Sequence, residues 1–204
     1  FIVSIGRDNL FLSLVLTMIT CLILGMGIPT IPNYIITSSL AGPALLELGV
    51  PLIVSHMFVF YFGILADLTP PVALACFAAA PIAKEKGLAI SLQAVKVALA
   101  GFVIPFMAVY TPALMLQDGG PLALAWGYPI AVAFIILKAV IAIGLWGAAA
   151  IGFLLRRLSL WERAWAMIAA FSLVLALPIT DEIGFALSAL FVGQHVLRRR
   201  SLTA

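Results

Sequence analysis

The sequence predicts an all-α protein that crosses a membrane several times. Of its 204 residues, 65% are hydrophobic and 9% are charged, whereas a soluble domain carries about 25% charge to cover its surface. The apolar residues also fall into runs that approach or exceed the roughly 20 residues a helix needs to cross a bilayer. A third observation bears on architecture. Two of the boundaries between runs are compact glycine and proline clusters, GMGIPT at 25–30 and DLTPP at 67–71. The net charge of +3 comes from basic residues held mostly in three short clusters. That is no basic face for nucleic acid, so the expected surroundings are membrane lipid.

Residues 1–48 read as a re-entrant helical hairpin with a lead-in. Asn9 to Leu24 and Ile31 to Leu48 are each short for a full span, and GMGIPT turns the chain between them. Residues 49–83 read as one discontinuous transmembrane helix, with halves from Pro51 to Ala66 and from Val72 to Ala83. The proline pair Pro70–Pro71 removes two amide donors and interrupts the helix. KEKG, residues 84–87, opens an interfacial linker over 84–93. A transmembrane helix follows over 94–117, and QDGGP at 117–121 is a turn. Residues 118–204 read as three further helices. The second and third of them are separated by a turn at Asp181–Glu182, and the last ends in Arg198–Arg200. The opening FIVSIGRDNL reads as the interior of a longer chain.

Charges orient these spans. If the hairpin does not cross and 49–83 crosses once, then Lys84–Lys86, Arg156–Arg157 and Arg198–Arg200 fall on one side. Basic clusters mark the cytoplasmic side. Trp126, Trp161 and Trp165 suit interfacial anchoring, and Trp146 suits packing. Cys21 and Cys76 lie among apolar residues and read as small core side chains.

Broken backbone is costly in hydrocarbon and is tolerated where protein or a watery cavity surrounds it. A broken helix exposes carbonyls at one end and amides at the other, and transporters use both to hold ions and substrates near the midplane. Each break here includes a threonine, Thr30 and Thr69, which can add a hydroxyl oxygen of the kind a hard cation such as sodium prefers. Thr30, Asn33 and Thr37 share a helix face, and Thr30 and Asn33 can bind ion or substrate or join helices. Asp67 can line a polar cavity, bond the opposing loop or coordinate an ion. His56 reads as a hydrogen bonder between helices. No convergent catalytic set, nucleophile elbow or phosphate loop is present, so an enzyme is not expected.

GMGIPTIPNYIITSSLAGPAL, HMFVFYFGILADLTPPVALACFAAAPIA and GFVIPFMAVYTPALML, in that order, resemble the large membrane permease subunit of tripartite ATP-independent periplasmic (TRAP) transporters. The closer resemblance is to the fused branch associated with TAXI-type solute receptors, and it covers roughly residues 10–117. Many unfused members carry an aspartate in the hairpin tip, where this chain has GMGIPT, and they have TPPVG where it reads TPPVA.

The resemblance implies the second inverted repeat of the ion transporter superfamily elevator fold, in a C-terminal fragment of the permease. It implies sodium as coupling ion and uptake of an organic anion such as a dicarboxylate, a keto acid or glutamate. It places the protein in a bacterial or archaeal inner membrane. The implied partners are an extracytoplasmic TAXI-type binding protein and the missing N-terminal part of the permease. The implied sodium residues are Gly25, Met26, Gly27, Pro29, Thr69 and Pro70, largely through backbone oxygens. Thr30, Asn33, Tyr34 and Asp67 then stand on the substrate side. A receptor-independent dicarboxylate or citrate carrier of the same superfamily, and a membrane scaffold subunit without transport, are the competing readings.

Overall fold

A computed structural model describes residues 9–117, 119–174 and 178–203. The lead-in 1–8 and Asp118 of the expected QDGGP turn lie outside the described residues. Helices dominate, and the isolated antiparallel bridge Phe153–Arg157 lies in a connecting loop. The chain divides into two compact units, Phe1–Lys96 and Val97–Ala204.

The first unit opens with α1, Leu10–Gly25, whose N-terminus is capped by the Asn9 side chain accepting from the Leu12 amide at 3.1 Å. Such a cap satisfies one of the amides a helix start leaves bare. The chain turns through Gly27, at φ +79, and Pro29 leads into α2, Thr30–Glu47. Gly27 supplies a left-handed backbone that side chains disfavour. Helix α3, Leu52–Leu65, packs against both α1 and α2. Leu14, Cys21, Leu45, Val54, Phe58 and Phe62 are fully or almost fully buried. Cys21 thus sits as an apolar filler.

The second break covers residues 66–73. It ends at Ala73, held left-handed at φ 40, and α4 follows at Leu74–Ala83. At 1.5 Å per residue α1, α3 and α4 are about 24, 21 and 15 Å long, each short of a bilayer core of about 30 Å.

The linker expected over 84–93 shrinks to Lys84–Lys86, because α5 already begins at Gly87 and runs to Ala98. No proline interrupts residues 82–104, and leucine, alanine, glutamine and lysine favour helix. A 3-10 turn, Leu99–Phe102, continues α5 into α6, Ile104–Tyr110. Together Gly87–Tyr110 makes 24 residues, long and apolar enough to cross a membrane. Pro105 is accommodated in the first turn of α6, where its missing amide costs little.

Within the second unit, a 3-10 turn at Pro112–Met115 precedes α7, Gly120–Trp126. The long α8, Tyr128–Ile151, is the other stretch of membrane-crossing length and polarity. Its last residue is Ile151, and Gly152, at φ 78, ends it in a left-handed backbone. Helices α9, Leu160–Val174, and α10, Pro178–Thr203, complete the unit, and α9 packs on both α8 and α10. The region thus has the short α7 in addition to three longer helices. Trp161 and Trp126 are exposed, whereas Trp165 packs inward against Phe191 with ring centroids 6.4 Å apart.

Asp181 and Glu182, expected as a turn, lie inside α10. From there Asp181 reaches Lys138 near the middle of α8.

Candidate functional site

The two breaks meet. Gly25 closes α1, and a methyl group there would stand 2.7 Å from Ala66 Cβ, 2.8 Å from Asn33 Nδ2 and 3.0 Å from the Gly63 carbonyl. The hairpin tip, the first turns of α2 and the end of α3 therefore close on a residue with no side chain. Gly27 faces the second break itself, its missing Cβ lying 3.7 Å from Val72 Cγ1.

Asn33 is buried, and its amide donates to the Gly63 carbonyl at 2.8 Å. This bond ties the hairpin to α3 immediately before the break. The other half of the same amide is unused. Asn33 Oδ1 is buried and has no hydrogen-bond partner among the described residues. Asp67 Oδ1, in the second break, is also buried and unpartnered among them. Thr37, one turn beyond Asn33, is buried and donates to the Asn33 carbonyl at 2.7 Å.

The remaining candidates divide. The Thr69 hydroxyl donates to the Leu65 carbonyl at 2.7 Å, which leaves its oxygen lone pairs as acceptors. Pro70 joins Pro71 through a cis peptide bond. The Gly25 carbonyl accepts weakly from the Ile28 amide at 3.4 Å, and the Pro29 carbonyl accepts from the Asn33 amide at 3.0 Å, as the opening bond of α2. Met26 is half-buried, with its amide on the Ile23 carbonyl. Gly27, Pro29 and Thr30 are exposed. Thr30 therefore does not share the burial of Asn33 and Thr37, because it sits at the first residue of α2 where no helix covers it.

Tyr34 turns to the neighbouring helix. Its hydroxyl lies 2.8 Å from His56 Nδ1, and its ring meets Phe60 edge-on at 5.4 Å. His56 is thus a hydrogen bonder between helices, as its sequence context suggests.

The second break is also tied down. The Leu68 carbonyl accepts from the Ser91 hydroxyl of α5 at 2.8 Å, and the Asp67 carbonyl accepts from the Ala75 amide at 3.3 Å. Ser91 was not legible as a site residue, since nothing in LAISLQ separates it from other helix serines. Among the described residues no three His, Cys, Asp or Glu side chains cluster as metal ligands. A cation here would rest on amide, hydroxyl, carbonyl and single carboxylate oxygens.

The second unit holds a polar feature that sequence reading passed over. Lys138, deep in the apolar α8, is buried and pairs with Asp181 at 2.5 Å. At the other end of α8, the Arg163 guanidinium donates to the Ala149 and Ala150 carbonyls at 2.7 and 3.1 Å. It thereby serves carbonyls that a helix end leaves bare. Arg156 pairs with Glu162, whose carboxylate also accepts from the Ser159 amide at 2.9 Å.

The family described as "Tripartite ATP-independent periplasmic transporter, DctM component" matches residues 1–123. No characterised protein sequence and no solved structure matches the chain.

Proposed function

This chain belongs to the DctM-component family of tripartite ATP-independent periplasmic transporters, and we propose from that premise that it carries one ion and substrate site of a sodium-coupled organic-anion importer. Membership makes it part of a membrane transporter rather than an enzyme and implies a coupling ion. The identity of that ion as sodium, the TAXI-type receptor, the elevator motion and the anionic substrate are the finer content of the proposal. So is the orientation with the basic clusters in the cytoplasm.

The observation that carries the reading is the meeting of GMGIPT and DLTPPV, with two buried acceptor oxygens, Asn33 Oδ1 and Asp67 Oδ1, left unpartnered beside it. A buried acceptor without a donor costs about 1–3 kcal/mol. A cation of oxygen preference removes that cost. In the proposed cycle, sodium takes these oxygens together with the Thr69 hydroxyl and carbonyls of Gly25, Met26, Gly27, Pro29 and Pro70. The organic anion then binds on the Thr30, Asn33 and Tyr34 side, attracted by the positive charge just bound. Asn33 has a double part, since its Nδ2 holds α3 while its Oδ1 faces the ion. A second hairpin and broken helix, expected in the remainder of the permease, complete the substrate site.

Uptake by the full-length permease and its receptor in proteoliposomes, with and without an inward sodium gradient, tests this. Gradient-driven accumulation is expected. Equal uptake in sodium-free medium rejects the coupling, and uptake without the receptor returns the receptor-independent carrier.

A further inference from the structure

Lys138 calls for an account that the family site does not supply. It lies outside the residues the family matches and within the second unit. Its helix is otherwise apolar, and Val132, Ile135, Ala139 and Ala142 on the same helix are buried around it. The side chain is 5% exposed. An ammonium in such surroundings is among the costliest groups a membrane helix can carry, and such residues mark pathways for ions or substrates. Replacing a buried ion pair by well-packed apolar side chains is often neutral or stabilising, so packing alone gives no reason to keep one.

The pair is also incomplete. An ammonium has three N–H donors. Among the described residues the named partner of Lys138 is a single oxygen, Asp181 Oδ1. Donors thus remain to be satisfied in an apolar setting. Their partner must supply oxygen acceptors, and negative charge favours it further. Asp181 is the more accessible member, at 17% side-chain exposure, and stands in the first turn of α10. It is therefore the member of the pair that an entering ligand reaches first.

We propose that Lys138 is a binding site for a small carboxylate anion, with Asp181 as its resting counter-ion. The anion satisfies the free ammonium donors, first beside Asp181 and then in its place. Asp181 displaced in this way loosens α10 from the middle of α8, where the Phe134–Phe185 ring contact at 5.5 Å is a further tie between these two helices. The site uses none of the hairpin's residues and does not depend on sodium.

The test uses the full-length permease, purified in detergent, with acetate as probe and chloride at equal ionic strength as control. Thermal midpoints are measured for the wild type, for Asp181→Ala and for the double variant Lys138→Met/Asp181→Leu. A saturable acetate-dependent rise is expected in the wild type. A larger rise is expected in Asp181→Ala, whose lysine has lost its counter-ion. The double variant, which replaces the pair by apolar side chains and removes both charges, should fold and show no rise beyond chloride. An unresponsive wild type overturns the site, and so does a double variant that keeps the full acetate response. If Asp181→Ala does not fold, wild type against double variant decides alone. Because none of these readouts involves sodium or uptake, their failure leaves the hairpin reading standing, and the reverse also holds.

Discussion

The two units differ in the polar atoms they leave without a hydrogen bond among the described residues: oxygens alone in the first, mostly donors in the second. In the first, the buried side-chain atoms without a partner among the described residues are oxygens, Asn33 Oδ1 and Asp67 Oδ1. In the second they include the donors Trp146 Nε1, Trp165 Nε1 and Arg156 Nε, and the acceptor Asp181 Oδ1, which has no hydrogen bond but faces the buried Lys138 ammonium as its ion-pair partner. Acceptors in surplus suit a cation, and donors in surplus suit an anion. The difference teaches that the hairpin unit offers spare acceptors of the kind a cation takes, while the C-terminal unit already holds a buried cation of its own. The sharpest break in this comparison is Lys138→Met alone, which leaves Asp181 half-buried and unpaired. Removing one partner of a buried pair costs about 3–5 kcal/mol. Lys138→Met should therefore lower the thermal midpoint more than Gly25→Ala, Asn33→Ala or Tyr34→Phe, with the sodium dependence of residual uptake unaltered. A changed sodium dependence would join the two regions that the comparison separates.

Gly25→Ala attacks the other side. Its methyl would sit 2.7 Å from Ala66 Cβ and 3.0 Å from the Gly63 carbonyl. Neither neighbour is the far end of a flexible side chain, so the tip must part from α3. Overpacking of this kind costs typically about 1–3 kcal/mol, and contacts on three sides put Gly25 toward the upper end. Uptake should fall by more than tenfold, while anion-dependent stabilisation through Lys138 is retained. Gly42→Ala is the control, since a Cβ there meets nothing within 4 Å. Equal loss in both would remove the special role of the tip.

Much of the first unit was legible because its signals are local. Two prolines and two glycines within Gly25–Pro32, and the pair Pro70–Pro71, interrupt helices wherever they stand, and the observed breaks fall on them. What joins the breaks was not legible. The Asn33–Gly63 bond spans thirty residues, and neither residue announces the other. The C-terminal unit fared worse for a related reason. Asp181–Glu182 reads as a polar turn by composition, yet the charge is there to meet Lys138 across two helices. A lone lysine inside an apolar run carries no hint of its partner. The start of α5 was missed because KEKG looks like the opening of an aqueous linker, whereas the helical preferences from Leu88 onward hold the chain from Gly87.

Asn33→Ala separates holding from binding. It deletes the donor to Gly63, but it also deletes the unpaired Oδ1, so the stability cost should stay near 1–2 kcal/mol. The effect on ion use should be greater. The sodium concentration for half-maximal uptake is expected to rise tenfold or more, measured in proteoliposomes at fixed substrate. If the midpoint falls and the sodium requirement does not move, Asn33 is a helix tie alone, and the cation reading of the first unit rests on Asp67 and Thr69.

The smallest effect is expected from Tyr34→Phe. The tyrosine hydroxyl and His56 Nδ1 bond each other at 2.8 Å, and both residues are half-buried. Partial exposure lets water replace the lost partner, so a cost of about 0.5–1.5 kcal/mol is expected. The ring keeps its edge-on contact with Phe60, which holds the side chain in place without the hydroxyl. If Tyr34 only ties α2 to α3, His56→Phe should lower the midpoint similarly, and neither variant should change the substrate KM. If the hydroxyl faces the organic anion as proposed, Tyr34→Phe should raise the KM several-fold while leaving the sodium requirement in place. His56→Phe should then raise it less, because the hydroxyl is still present though no longer held. A KM unchanged in both variants would move Tyr34 out of the substrate site, leaving Thr30 and Asn33 on that side of the tip.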